Sequence, residues 1–263
     1  NFFKHINSVE PGQFIKFDST KLKKKKYWNY PLNNEKFNCS EESLIERCGE
    51  LIEEVTSEHL VSDVPIGSLL SGGLDSSLLT SIMKKKSNKT FHTFSASFDD
   101  ADYDENKFSK IISEKVNSDH LNIILNSSDY ENKINKTIAH SASPLSIPHE
   151  IALNSLFEEI SKHTKVVISG EGADEMIPGY FEFHEQFKRT DVEFKELSKT
   201  RMKEIYLFDG LRSDRAAAAW GLEVRMPLLD ENVIKIFNNV SVKYRRFGYY
   251  VAGTTKTVIE KAL

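Results

Sequence analysis

The feature that most constrains the fold is a regular alternation of short apolar segments with helix-like segments in the middle of the chain. The apolar segments have the length of buried strands and occupy residues 64–70, 90–98, 120–125 and 165–169. The helix-like segments occupy residues 76–86, 105–116 and 150–163. This alternation predicts an α/β fold in which a parallel sheet carries helices on both faces. Ligands of such sheets bind beyond the carboxyl ends of the strands.

The flanking segments follow other patterns. Residues 40–60 have the apolar spacing of an amphipathic helix that begins after an N-cap at Ser40. Residues 14–17 are predicted to form a short strand, and the lysine-rich residues 23–26 a solvated connector. Residues 193–221 are rich in helix formers, so the C-terminal part is expected to pack as helices against the sheet.

Composition narrows the class of protein. A chain of 263 residues, 39% hydrophobic and 28% charged, is an ordinary globular chain that can bury a large core. The net charge of −4 argues against a nucleic-acid partner. No apolar run approaches the roughly 18 residues that a membrane-spanning helix needs. With Cys39 and Cys48 taken as free thiols, we expect a cytoplasmic protein with no membrane or nucleic-acid partner.

The first candidate site is a glycine-rich loop at the end of the first apolar segment, where residues 71–77 read Ser-Gly-Gly-Leu-Asp-Ser-Ser. The glycines permit a tight turn, the small hydroxyl side chains leave room, and amides at a helix start favour an anion. Asp75 adds a carboxylate of the kind that binds Mg²⁺ beside phosphates. The pattern of the kinase-type phosphate loop is absent. The residues predicted to hold a pyrophosphate group are Ser71, Gly72, Gly73, Asp75, Ser76 and Ser77.

The second candidate site follows the last apolar segment, where residues 169–175 read Ser-Gly-Glu-Gly-Ala-Asp-Glu. Three carboxylates crowded at the end of a strand indicate metal or proton chemistry. Taken alone, the same residues also fit an acidic turn that caps the next helix. Because both loops follow strands of the predicted parallel sheet, we expect them at the same edge of that sheet.

Three motifs in this order along the chain resemble asparagine synthetase. They span residues 61–77, residues 166–180, and residues 206–215 continued by 220–230. Residues 71–77 also resemble the signature of the ATP-pyrophosphatase superfamily, whose members cleave ATP between the α and β phosphates and adenylate their substrates. The resemblance implies an ATP-pyrophosphatase fold, similar to that of the adenine nucleotide alpha hydrolases.

The resemblance also implies a division of the chain. Residues 1–38 resemble the connector that ends a preceding glutaminase domain, and residues 39–263 resemble an ATP-dependent synthetase domain whose C-terminal end is incomplete. The nucleophilic cysteine of that glutaminase domain is not in this chain. Ammonia is therefore expected from a glutaminase domain outside it.

Individual roles are carried over from the family by position. Leu69 and Ala96 would lie beside the adenine and ribose of ATP, with Ser169 and Gly170 closing the nucleotide pocket.

The same resemblance implies the roles of the acidic residues. Asp75 and Asp174 would bind Mg²⁺, and Asp75 would also serve the reaction of the nucleotide. Glu171 would support formation of the acyl-adenylate and the later attack by ammonia.

The implied reaction is the ATP-dependent amidation of a carboxylate through an acyl-adenylate, with release of AMP and pyrophosphate. Aspartate is the expected acceptor and asparagine the product. Residues 143–150 differ from relatives that make asparagine, so a related amidotransferase, or a lactam or sugar amide synthetase acting on another carboxylate, is an alternative. A non-catalytic nucleotide-binding module is a further alternative.

Overall fold

The structure is a computed structural model that describes residues 4–31, 39–87, 89–98, 106–176, 190–240 and 242. Residue 105, the end of the second motif at residues 177–180 and the C-terminal residues from 243 lie outside the described residues. In the described ranges, no helix combines the length and the apolar character needed to cross a membrane.

A parallel sheet forms the centre of the described structure, as predicted. Its strands lie in the order β5-β4-β3-β6-β7, and each neighbouring pair is parallel. A separate antiparallel hairpin, β1 with β2, precedes the sheet. The strands are β1 Gln13–Asp18, β2 Lys21–Lys26, β3 Ile66–Leu69, β4 His92–Phe98, β5 Asp119–Leu125, β6 Val166–Ile168 and β7 Glu223–Arg225.

The strand order creates a switch point between β3 and β6. From β3 the chain moves outward to β4 and β5, and it then returns to the other side of β3 to form β6 and β7. Connections that leave two adjacent strands in opposite directions open a crevice at their carboxyl ends. The two predicted loops leave β3 and β6, so the topology places both at this crevice.

Helices cover both faces of the sheet, which confirms the predicted architecture. On the first face, buried side chains of α1, α2 and α9 form one core with Ile168 of β6. On the second face, α5 and α8 form another core with Phe94 of β4 and Val167 of β6. The helices are α1 Glu41–Glu58, α2 Leu74–Lys86, α3 Asn106–Val116, α4 Ser127–Ser141, α5 His149–Ile160, α6 Ala173–Met176, α7 Asp191–Glu204, α8 Asp209–Ala218 and α9 Glu231–Asn239.

The helix predicted after Ser40 is confirmed as α1. The Ser40 hydroxyl accepts a hydrogen bond from the amide of Ser43 at 3.2 Å, as an N-cap does. The apolar stripe of α1 faces the first core, where its buried members are Leu44, Cys48, Ile52 and Val55.

Sequence patterns missed several elements, among them β2, α4 and β7. The lysine-rich residues 23–26 were expected to be a connector, which is wrong, because they belong to β2. All six residues of β2 are exposed, so backbone pairing with β1, rather than burial of apolar side chains, forms this strand. Helix α4 is mostly polar, and β7 is a three-residue strand at the sheet edge, so neither has a strong periodic signal.

A chain of polar side chains links β4 to β5. The Oγ1 atom of Thr93 lies 2.9 Å from Nδ1 of His120. The hydroxyl of Ser95 donates to Oδ1 of Asn122 at 2.8 Å, and Nδ2 of Asn122 donates to Oγ of Ser97 at 2.8 Å. Burial lowers the pKa of His120. These bonds fix the alignment of β4 with β5.

The glycine-rich loop after β3 packs closely against the start of α3. Gly72 has a φ of +86°, and a Cβ atom there would lie 2.6 Å from both Cβ of Phe108 and the amide nitrogen of Ser109. Glycine is therefore required at this position by backbone conformation and by space.

Replacing Gly72 with alanine should lower the free energy of unfolding by at least about 2 kcal/mol, because strain and overlap with α3 add. Gly221→Ala is the matched control, since Gly221 also has a positive φ, of +64°, but has open space around it. The control should lose only about 1 kcal/mol. Urea unfolding measures both, and equal losses would show that the contact with α3 contributes nothing.

Candidate functional site

The N-terminus of α2 points its amides into the crevice. Gly73 is the N-cap of α2 in an extended conformation, and its carbonyl accepts the helical hydrogen bond from Ser77 at 3.0 Å. The amides of Leu74, Asp75 and Ser76 therefore precede the hydrogen-bonded turns of the helix. Such amides and the positive end of the helix dipole favour an anion.

Serine hydroxyls shape the loop around this helix start. The amide of Gly73 donates to Oγ of Ser71 at 3.2 Å, and the Oγ atoms of Ser71 and Ser76 are 3.1 Å apart. Ser76 Oγ also donates to the Gly73 carbonyl at 3.1 Å. The buried Oγ of Ser77 has no hydrogen-bond partner among the described residues. The loop is thus held in shape by its own side chains.

The loop after β6 lies directly against this helix start. A Cβ atom at Gly170 would be 3.0 Å from the amide nitrogen of Ser76 and 3.2 Å from Cβ of Asp75. Ser169 is buried, and its amide donates to the carbonyl of Arg225 at 2.8 Å, which extends the pairing between β6 and β7. The two loops predicted from sequence are therefore brought together, and a larger side chain at position 170 would obstruct the Ser76 amide.

Glu171 is a carboxylate that its surroundings alter strongly. Its Oε1 accepts a hydrogen bond from the hydroxyl of Ser213 at 2.5 Å, and its buried Oε2 has no hydrogen-bond partner among the described residues. Burial raises the pKa of Glu171 to about 7, against the hydrogen bond from Ser213, and the charges of Glu175 and Arg212 act in opposite directions. A carboxyl group with such a pKa can exchange a proton at neutral pH.

Asp174 and Asp75 are the other two acidic residues predicted to belong to the site. Asp174 lies in α6, and burial raises its pKa to about 6. Asp75 lies in the first turn of α2. Within the described ranges, no group of three or more His, Cys, Asp or Glu side chains is placed to hold a metal ion. Carboxylate oxygens are nevertheless the donor type that Mg²⁺ uses when substrate phosphates complete its coordination.

Leu69 and Ala96 lie at the carboxyl edge of the sheet. Leu69 is the last residue of β3 and pairs with Phe94, so Ala96 belongs to the part of β4 that extends beyond β3. Both side chains are partly buried and pack against the second core. The structure therefore places these two predicted residues on the side of the crevice that faces α5 and α8.

Two residues of α8 had no assigned role at the site before the structure. Ser213 binds Glu171, although 42 positions separate them. Arg212 forms an ion pair with Asp209, and its charge acts on the pKa of Glu171. Both residues fall in the third motif, but neither spacing nor residue type indicated these contacts.

A cavity of about 410 Å³ lies beside Arg212. Nη1 of Arg215 donates to Oγ of Ser143 at 3.0 Å, and the amide of Ser146 donates to Oε1 of Glu150 at 2.9 Å. The cavity thus combines two guanidinium groups with one carboxylate. Its polar and charged lining residues are Ser8, Thr137, Ser141, Ser143, Ser146, Glu150, Asn154, Arg212 and Arg215.

Comparison with known proteins places the chain among its relatives. The family profile described as asparagine synthase matches residues 47–197 and 185–263. The chain belongs to the asparagine synthase family. This confirms the resemblance predicted from the three motifs.

Curated members of the asparagine synthase family match a large share of the chain. The glutamine-hydrolysing asparagine synthetase 1 of Bacillus subtilis is 32% identical over 177 residues, which cover 67% of this chain and 28% of that relative. The glutamine-hydrolysing asparagine synthetase of Zea mays is 29% identical over 225 residues, which cover 81% of this chain and 38% of that relative. The chain therefore spans well under half the length of these relatives.

Solved structures add little to this assignment. An ammonia-dependent NAD synthetase from Campylobacter jejuni aligns over 78% of this chain and 95% of its own, with a TM-score of 0.37 and 15% sequence identity. Values this low carry no argument of their own. The family assignment rests on the sequence matches.

The raised pKa of Glu171 should make the stability of the nucleotide-free, magnesium-free protein depend on pH. A folded-state pKa of about 7, above the ordinary value of 4.5, means that Glu171 makes its full contribution to the free energy of unfolding below pH 4.5. This contribution is lost as the pH rises through 7, because the buried carboxylate becomes charged. Glu171→Gln cannot become charged and therefore avoids this loss of stability. The variant should therefore be more stable than the wild type at pH 8, by up to about 3 kcal/mol, and nearly equal to it at pH 4.5.

Urea unfolding at the two pH values measures this difference. Glu50→Gln on the exposed surface of α1 is the control, because it removes the same charge from a solvated position. A stability difference for Glu171→Gln that does not change with pH would contradict the assigned environment of Glu171.

Proposed function

We propose that the protein supplies the ATP-dependent synthetase part of an asparagine synthetase. In this proposal it amidates a carboxylate through an acyl-adenylate and releases AMP and pyrophosphate, with aspartate as the acceptor. The observation that carries the proposal is the contact of Gly170 with the first turn of α2, which joins an anion-binding helix start to the loop of Glu171. The names of the curated relatives support the choice of reaction.

The crevice offers matched sites for the parts of ATP. The amides at the start of α2, with Gly72 and Gly73, would hold the pyrophosphate, and the neighbouring hydroxyls would bind its oxygens. Leu69 and Ala96 would contact the adenine and ribose on the side facing the second core. Ser169 and Gly170 would close the pocket from the β6 side.

The first step brings two anions together. The acceptor carboxylate attacks the α-phosphorus, and the bond from that phosphorus to the leaving pyrophosphate breaks. The amides of the α2 start would reduce the repulsion by placing fixed donors beside the phosphates. Asp75 and Asp174 would hold Mg²⁺, which would supply further charge neutralisation for the pyrophosphate.

The second step needs a proton acceptor. Ammonia attacks the acyl carbon, and AMP departs with the electrons of the carbon–oxygen bond. The nitrogen must lose a proton, which the Glu171 carboxylate would accept. Its pKa of about 7 suits this task, because a base of this strength is largely available near neutral pH and still binds the proton.

The cavity beside Arg212 is the proposed acceptor site. Two guanidinium groups suit the two carboxylates of aspartate, and Glu150 provides a counter-charge for its amino group. The charge of Arg212 acts on the pKa of Glu171, so the cavity lies within electrostatic reach of the proposed base. An acceptor bound in this cavity would be close to the loop of Glu171.

We also propose that residues 1–38 end a preceding glutaminase domain, that residues 39–263 form the synthetase domain, and that the glutaminase domain supplies the ammonia. Apolar side chains of the β1–β2 hairpin support this division. Ile15, Phe17 and Leu22 share one face of the hairpin and are 38%, 71% and 58% exposed. A further domain that packs on this face would bury them.

Asp75→Asn and Glu171→Gln should each lower amide formation by at least about 100-fold while leaving the fold intact, because each replaces a reacting or metal-binding carboxylate by an isosteric amide. Amide yield and AMP release from ATP measure the effect. Asp63→Asn is the control, since Asp63 is exposed and precedes β3 at the opposite end of the strand. Turnover like that of the wild type in either variant would refute the assignment.

Product analysis with ATP, Mg²⁺, ammonium and a panel of carboxylates tests the reaction itself, using the longest natural form of the protein. Aspartate-dependent AMP and asparagine are expected. AMP formed with another acceptor would assign the chain to a related amidotransferase or to a lactam or sugar amide synthetase. Formation of ADP, or nucleotide binding without turnover, would reject adenylating amidation.

A further inference from the structure

We infer that Ser213 is a positioning residue that orients the carboxyl group of Glu171, so that Oε2 is the oxygen presented to the reacting groups. This inference rests on the proposed role of Glu171 in amide formation. It adds a residue of α8 to a site built from the loops after β3 and β6.

The hydroxyl of Ser213 donates a hydrogen bond to Glu171. Ser213 is 1% exposed, and its Oγ donates to Oε1 of Glu171 at 2.5 Å. Serines inside helices usually donate to the carbonyl four residues earlier, as Ser155 does to Ile151 at 2.8 Å. The Ser213 hydroxyl instead donates to a carboxylate outside its own helix. A bond to an ionised group is stronger than one to a backbone carbonyl.

The two oxygens of Glu171 have different surroundings. Oε1 is occupied by the Ser213 hydroxyl, while the buried Oε2 has no hydrogen-bond partner among the described residues. Rotation of a glutamate carboxyl group about χ3 has only weak preferences. Without the bond from Ser213, the plane of the carboxyl group would not be fixed. The bond therefore selects Oε2 as the oxygen with acceptor capacity for a proton.

Neighbouring residues of α8 serve a different part of the site. Arg212 and Arg215 line the cavity of about 410 Å³, whereas Ser213 is not among its lining residues. Loss of the Ser213 hydroxyl should therefore leave acceptor binding intact. Loss of the hydroxyl should instead slow the chemical step, because that step depends on the orientation of the Glu171 carboxylate.

Ser213→Ala should lower kcat for amide formation by about 10- to 100-fold, with KM for the acceptor changed by less than about 2-fold. Ser213→Thr keeps the hydroxyl and should restore most of kcat. Ser155→Ala is the matched control, because it removes a buried serine hydroxyl from α5 without touching the site. A wild-type kcat in Ser213→Ala, or a higher KM with kcat unchanged, would overturn the inference.

A second measurement does not need activity. Unfolding free energies at pH 8 for Ser213→Ala, Glu171→Ala and the double variant form a double-mutant cycle. Non-additive changes in the free energy of unfolding are expected, because each single change removes the same hydrogen bond. Additive changes would overturn the inference even in a protein that is inactive towards every acceptor. Failure of the proposed function is seen separately, as absence of AMP in the wild type or as full activity in Glu171→Gln.

Discussion

The site depends on one close contact, that of the Gly170 backbone with the first turn of α2. A Cβ atom at Gly170 would lie 3.0 Å from the amide nitrogen of Ser76, which is tighter than most Cβ contacts, so glycine lets the two loops meet without displacing this donor. This contact exists because β3 and β6 are neighbours in the sheet and their connections diverge. The start of α2 and the loop of Glu171 thereby share one crevice.

The two cores of the molecule hold opposite sides of this crevice. Helix α2, whose N-terminus faces the crevice, is anchored in the first core by Leu78, Leu79 and Ile82. Helix α8 is anchored in the second core by Ala216 and Ala217. The sheet edge therefore lies between two helices that are anchored in the cores, which suits a reaction that depends on positioning.

Burial of Glu171 connects function with stability. Removing a carboxylate from water raises its pKa and costs folding free energy at neutral pH, and the Ser213 hydroxyl offsets only part of that cost. The same burial makes the group a suitable proton acceptor. A buried carboxylate with a strongly raised pKa lowers stability at neutral pH, and such groups are found mainly at functional positions.

Much of the fold and the shape of the glycine-rich loop at residues 71–77 followed from the sequence, because both depend on local patterns. The alternation of segments predicted the α/β class, and the glycines and small hydroxyls of residues 71–77 predicted a tight turn before a helix, since they act through nearby backbone. Tertiary structure alone decided the strand order, the addition of β7 and the contact of Ser213 with Glu171. Residues 42 positions apart meet only through the packing of α8 on the sheet, and periodicity along the chain does not encode which helix covers which strand.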